Sequence, residues 1–317
     1  MSTLHAPTWS ARSANDPLSG APAAVAAPVL PVATPPEAPA GASSPALSAY
    51  EALAAHYDDF TAPYQHERWL AALEALAREH GLRGRRLLDV GCGTGKSFAP
   101  LLRRGYETTA CDLSPAMVAI ARARFGGRVR LFVADMRTLP PLGRFDLITC
   151  LDDAVNYLLE ADELAAALAS MRRCLAPDGL LVFDVNTLAA YREGFTASYD
   201  RREGALLFRW RGDARHPVSA GAILSATIEV CEGADPDHPI AVSRHVQRHH
   251  PPATVRAACA TAGLEPVAVW GQHTGVRLEP GGSDDVHAKL VWLARRRRSF
   301  TARLAHRAEG KEDPCWS

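Results

Sequence analysis

Lysine is nearly missing from this chain. Only Lys96, Lys289 and Lys311 occur, so arginine supplies almost all of the 35 basic residues, which 35 acidic residues balance to a formal net charge of zero. A general nucleic-acid binder would carry a basic excess, and an anionic membrane would find no bulk attraction here. Long apolar runs are also absent: nothing approaches the roughly 18 consecutive apolar residues that would span a bilayer. No C-x-x-C pair occurs among the seven cysteines, Cys92, Cys111, Cys150, Cys174, Cys231, Cys259 and Cys315. An odd count without that spacing excludes the common zinc and thiol-redox patterns and reads as reduced thiols of a cytoplasmic protein.

Charge is scarce in the first 45 residues as well, where only Arg12, Asp16 and Glu37 are formally charged. Nine of the 23 prolines and twelve alanines crowd into this segment, without a helical or strand period. Such a composition cannot bury enough surface to offset its ordering entropy, so residues 1–45 are expected to be a disordered leader. Pro28 and Pro31 interrupt its apolar stretch and no basic segment precedes it, which excludes a signal peptide. About 270 residues remain, enough for one elaborated domain.

What is present is an alternation of strands and helices. Residues 46–80 read as helix with a polar break, and Trp69, Leu70, Leu73, Leu76 and Ala77 keep helical spacing. Short apolar strands follow at 86–90, 106–111, 129–134, 145–151 and 180–185, with helices at 96–104, 114–125 and 160–175 between them. Ser114–Pro115 supplies an N-cap with proline at the first helical position. Alternating βα units predict a doubly wound, mostly parallel α/β sheet. From 186 to 250 no long helical period appears. Three β-like runs, 206–211, 223–230 and 240–249, predict a small antiparallel sheet inserted at 187–250. A helix at 252–262 and strands at 266–270 and 288–294 resume the first pattern, before a basic tail at 295–317.

The informative stretch is Leu87–Leu88–Asp89–Val90–Gly91–Cys92–Gly93–Thr94–Gly95–Lys96–Ser97. A strand runs into a glycine-rich turn that opens a helix, where glycine lets backbone approach a ligand. The spacing is neither the G-x-G-x-x-G of dinucleotide binders, since position 96 is lysine, nor a P-loop. Asp112 ends the next strand, placed to accept from two ribose hydroxyls. Leu113 follows it, and Met117 can lie against a purine. Ala134–Asp135–Met136 ends the third strand, with Asp135 able to accept from an adenine amino group.

These motifs, together with the strand Phe145–Asp146–Leu147–Ile148–Thr149–Cys150–Leu151, resemble those of class I S-adenosylmethionine-dependent methyltransferases across roughly residues 46–294. The resemblance implies that S-adenosylmethionine is the cofactor. It implies that Asp89, Gly91, Cys92, Gly93 and Gly95 hold its methionine part, that Asp112 binds ribose, and that Met117, Ala134, Asp135 and Met136 frame adenine. Leu151 and Asp152 would flank the sulfonium, Tyr57 would cap the methionine end, and Trp69 would add a wall. The 46–186 segment would then be the cofactor core, 187–250 a substrate lid like that of amine and natural-product methyltransferases, and 251–294 the return of the core.

On the acceptor side, Asp153, Asn156 and Tyr157 follow strand four at the carboxyl edge of the sheet. His245, Gln247 and His249 share one face of an insert strand, and one histidine could act as a base. A capping Asp153, a core-packed Tyr157 and a merely solvated histidine face are the competing structural readings. A metal site at His245, His249 and His250 lacks carboxylate or cysteine support, so no metal is expected. The function expected is methyl transfer to a small molecule, nitrogen before oxygen, by a monomer or homodimer that engages neither nucleic acid nor membrane. An NAD-dependent oxidoreductase and a non-catalytic S-adenosylmethionine-binding protein are the alternatives.

Overall fold

A computed structural model describes residues 44–233, 238–273 and 275–297. Most of the expected leader and most of the basic tail lie outside the described residues. Two edges of those segments differ from expectation. Ser44 caps the first helix, α1 (Pro45–Leu53), by accepting from Leu47 N, and Arg295 and Arg296 belong to the last strand, β12 (Lys289–Arg296).

After α1, a single 3₁₀ turn leads into α2 (Tyr57–Phe60), and α3 (His66–Glu79) follows. The α/β alternation is then β1 (Arg86–Val90), α4 (Ala99–Arg103), β2 (Glu107–Asp112), α5 (Pro115–Phe125), β3 (Arg130–Val133), β4 (Phe145–Cys150), α6 (Ala161–Cys174) and β5 (Leu175–Asn186). The caps are visible in the sequence. Ser114 accepts from Met117 N with Pro115 behind it, and Glu160 with Glu163 makes a capping box on α6. The predicted strand at 180–185 begins earlier: the Ala176–Gly179 turn lies inside β5, whose pairing with β4 is irregular there.

The insert opens with a helix the sequence did not announce, α7 (Leu188–Gly194), too short to show a period. Then come β6 (Ser198–Glu203), β7 (Leu206–Gly212), β8 (Ile223–Glu232) and β9 (Ala241–Arg248), an antiparallel sheet in that order. β6 was also missed, because its residues are polar and mostly exposed and carry no alternation. The chain closes with α8 (Pro252–Thr261), β10 (Leu264–Gln272), the short β11 (Leu278–Pro280) and β12.

The large sheet has the order β11-β10-β12-β5-β4-β1-β2-β3. β1 to β5 run parallel, while β12 pairs antiparallel with both β5 and β10. Successive residues serve opposite faces, as a two-residue period requires. Leu87, Leu147, Val182 and Val291 pack with α3, α4 and α5, and Leu88, Ile148, Phe183 and Trp292 with α6 and α8. Burial of both faces explains why these strands read as unbroken apolar runs. The small sheet shares a core with α1, where Leu53 meets Phe208, Ile228 and Val230. None of the six described cysteines forms a disulfide, and all are buried. No helix among the described residues is long and apolar enough to cross a membrane.

Candidate active site

The strand order reverses between β1 and β4, and open α/β sheets bind ligands at the carboxyl ends of strands flanking such a point. A cleft opens there. Its lining follows the sheet order: Asp135 and Met136 after β3, Asp112 and Leu113 after β2, Gly91 and Gly93 after β1, Leu151 and Asp152 after β4. The roof is α1, α2 and the turn after β4, which contribute Leu47, Tyr50, Tyr57 and Tyr157.

The glycine turn is built to leave space. Gly93 has φ +51°, and a Cβ there would meet the Tyr57 ring at 3.5 Å, closing the gap between loop and roof. Gly95 does a different job, since a Cβ would strike Phe125 at 2.4 Å and Phe98 at 2.8 Å. It allows the loop to pack on its helices and does not line the cleft. α2 is latched to this loop: the Asp58 carboxylate takes Thr94 Oγ1 at 2.5 Å and the Arg124 guanidinium, while Lys96 Nζ donates to Thr61 O at 2.9 Å. Tyr57 is thereby held over Gly93.

Asp112 accepts from Gly93 N at 2.7 Å and Ser114 N at 2.9 Å, one bond to each oxygen. A carboxylate offers about four lone-pair sites, so two remain for a pair of hydroxyls. Its enclosed position pushes its pKa up against those backbone donors. The cradle and the acceptor pair fit an adenosine bearing an amino-acid tail.

Asp89 departs from expectation. It is buried and turned away from the cleft, accepting from Ser97 Oγ and Thr149 Oγ1 at 2.5 Å each, and therefore pins the strand β1 to the following helix and to β4. Burial pushes its pKa up to about 7. An unfolded aspartate titrates near 3.9, so between about pH 4 and 7 the folded state binds more protons and Asp89 costs increasing stability as pH rises. In urea unfolding, Asp89→Asn should lose less stability than wild type between pH 5 and 7. Equal losses in the two proteins would refute this.

Three other expected cofactor residues lie in the core. Trp69 packs among Leu70 and Leu73 with Lys289 Nζ 5.8 Å from its ring, Met117 is fully buried in α5, and the Cys92 side chain is buried beneath the loop. Asp135 lines the cleft, but both of its oxygens are gripped by the Arg137 side chain and backbone. Among the acceptor-side residues, Asn156 is fully buried and ties Arg248 O to Asn186 N, and His249 sits between Gly221 N and the Asp284 carboxylate. Both are structural ties that face no cleft. Asp153 does not cap through its side chain; its oxygens bind Lys289 Nζ at 2.8 Å and Gln247 Nε2 at 2.6 Å. His245 is buried behind the cleft-lining Tyr50 and Tyr157; the Tyr157 hydroxyl lies 2.8 Å from Nδ1, and Ser243 Oγ lies 3.0 Å from Nε2. Burial lowers the His245 pKa to about 4, which keeps the imidazole neutral.

The sequence missed Tyr50, Leu47 and Arg137, and it set Asp152 beside the cofactor without revealing the left-handed turn and charge that distinguish it. Tyr50 and Tyr57 are seven residues apart, two helical turns, and that spacing was the available signal. Asp152 has no comparable mark. It and Asp153 are consecutive non-glycine residues with φ +57° and +53°, a costly conformation held by surrounding bonds. Burial raises the Asp152 pKa, but the His66 hydrogen bond at 2.9 Å and the charges of His66, Lys289 and Lys96 outweigh it and hold the carboxyl below its usual range. An anion therefore faces the cleft after β4.

Comparison with known proteins agrees with this architecture. Residues 87–179 match the family described as a methyltransferase domain. The match takes in the glycine turn, Asp112 and Asp152 of the cleft. The dTDP-3-amino-3,6-dideoxy-alpha-D-glucopyranose N,N-dimethyltransferase of Streptomyces fradiae is 35% identical over 134 residues, 42% of this chain and 51% of that protein. Against the curated relatives it matches, the chain spans between about half and three fifths of their length. The fold is shared with an S-adenosylmethionine-dependent methyltransferase of Clostridium acetobutylicum, at TM-score 0.66 and 20% identity over 78% of this chain and 99% of that one. It is shared too with an amino pentose methyltransferase of Micromonospora echinaspora, at TM-score 0.55 and 26% identity over 76% and 95%. The matched segment runs from β1 into β5, the parallel half of the sheet, and includes the turn after β4; α1, α2 and the small sheet lie outside it.

Proposed function

We propose that the protein transfers a methyl group from S-adenosylmethionine to an amine nitrogen of a small molecule, of the amino-sugar kind. The observation that carries this reading is the pairing of the Asp152 anion with the Tyr157–His245 couple, beyond Leu151 along the line adenine, ribose, methionine. When bound, the cofactor supplies an already activated methyl group, so the chain has only to place a nucleophile in line and exclude water. Asp112 holds the ribose, and the glycine turn admits the methionine part. Leu151 and Tyr57 wall the methyl end. Asp152 orients an incoming ammonium by charge. The ammonium gives its proton to solvent before attack, and the Tyr157 hydroxyl, hydrogen-bonded to the neutral His245 at Nδ1, accepts from the amine N–H and orients its lone pair. The roof of α1 and the sheet β6–β9 cover the cleft as a lid. Two amino-sugar enzymes among the relatives and structural neighbours support the acceptor class.

A panel of nucleotide amino sugars and their hydroxyl isosteres, incubated with methyl-labelled cofactor, tests the reading. Label should enter the amines and not the isosteres. Label only in hydroxyl acceptors would overturn the nitrogen assignment, and tight cofactor binding without turnover on any acceptor would favour a non-catalytic binder. Asp152→Asn removes a charge-assisted bond worth about 2 kcal/mol, so kcat/KM for the amine should fall roughly thirtyfold. Cofactor affinity, measured by calorimetry, should stay nearly constant in that variant.

A further inference from the structure

Away from the cleft, the hairpin β10–β11 and the loop before β12 bring together His273, Glu279 and His287. Their ligand atoms all lie within 4.8 Å of one another. Both imidazoles aim Nε2 at the same oxygen, Glu279 Oε2, at 2.9 Å from His273 and 3.3 Å from His287. We propose that these three side chains bind a divalent ion of the zinc class, a role separate from methyl transfer.

Four features support a built site. The His287 ring is buried, and Gly271 makes room for it: a Cβ at that position would meet the ring at 2.4 Å. The ring is fixed from behind by Ser283, whose N–H lies 2.8 Å and carbonyl oxygen 3.2 Å from Nδ1. A metal-bound imidazole donates from its far nitrogen, and Ser283 O is the acceptor within reach. His273 Nε2 is buried without a well-formed hydrogen bond, although it points at the carboxylate. Arg277 also grips Glu279, through Oε1, leaving Oε2 to the imidazoles.

Bond lengths of about 2.0–2.1 Å in a tetrahedral site set neighbouring ligand atoms roughly 3.3 Å apart. Two edges of this triangle are already near that value, and a small closure of the third completes it. Two imidazoles with one carboxylate favour zinc, cobalt, nickel or copper over magnesium or calcium. Binding at Nε2 uses the Nδ1–H tautomer, so the Ser283 N–H that now donates to Nδ1 must turn aside while Ser283 O becomes the acceptor. Three protein ligands leave a fourth position for water, on the side where His273 and Glu279 are partly exposed. The ion would clip the hairpin to the loop carrying Asp284. That residue caps α7 through Leu188 N and bonds His249 at the foot of the small sheet.

The test uses the full chain with any affinity tag removed, dialysed against chelator and titrated with cobalt(II). One cobalt per chain should bind with the intense visible absorption of a low-coordinate site, and zinc should displace it. His273→Ala and Glu279→Gln should each weaken binding roughly tenfold or more, with circular dichroism unchanged because both residues are partly exposed. The proposal is overturned if the wild-type chain develops no such absorption, or if the His273→Ala/Glu279→Gln double variant binds cobalt as tightly as wild type. Either result would leave a hydrogen-bonded cluster only.

Discussion

Replacing Lys289 by Met should destabilise the protein by about 3–5 kcal/mol, the cost of stripping one partner from a buried ion pair. Lys289 Nζ lies 2.8 Å from Asp184 Oδ2 and 2.8 Å from Asp153 Oδ1, and Asp184 is fully buried. Burial alone would lower the lysine pKa; Asp153, Asp184 and Asp152 reverse this and hold it well above its usual range. Burial still pushes Asp184 up to about 6. The lysine's stabilisation is therefore fully present below its unfolded pKa, near 10.4, and is lost only as pH rises through the higher folded value. For a domain of this size the melting temperature should fall by roughly 10 °C. Adding Asp184→Asn should recover part of the loss, because a neutral amide needs no ammonium. A Lys289→Met protein that melts within about 2 °C of wild type would show the cluster to be worth nothing net.

The second large effect is on the cofactor. Asp112→Ala removes both the proposed ribose acceptor and the two backbone bonds that shape the loop at Gly93 and Ser114. Charge-assisted hydrogen bonds contribute about 1.5–3 kcal/mol each. The loss of about 3 kcal/mol corresponds to roughly 150-fold weaker S-adenosylmethionine binding by calorimetry. Asp112→Asn should fall between, since its amide oxygen can keep one of the acceptor roles. Undiminished affinity in the alanine variant would sink the site assignment.

How much of this could be read from sequence follows from where the information resides. The parallel strands were legible because burial on both faces leaves runs such as Leu180–Val185 without polar interruption. The glycine turn, Asp112 and Asp135 were legible because backbone geometry and strand ends fix their positions locally. Asp89, Trp69 and Met117 were assigned to the cleft by their place in the motif, yet side-chain direction sends them into the core. Asn156 and His249 were assigned by polarity alone. Each instead ties segments distant in sequence, a role that only tertiary contacts reveal. β6 escaped notice because an exposed polar edge strand has no periodic signature, and the left-handed backbone at Asp152 because it is held by tertiary ties of Asp153 to Lys289 and Gln247.

The place of β12 in the sheet has a consequence for synthesis. Among the described strands this one is made last, yet it inserts between β5 and β10 and brings the ammonium that neutralises Asp153 and Asp184. A nascent chain that stops before residue 289 holds every lining residue of the cleft but carries buried carboxylates without their counter-ion. Translation must run nearly to the end of the described fold before the turn carrying Asp152 is secured. Prematurely terminated products should therefore be open to proteolysis, not half-active.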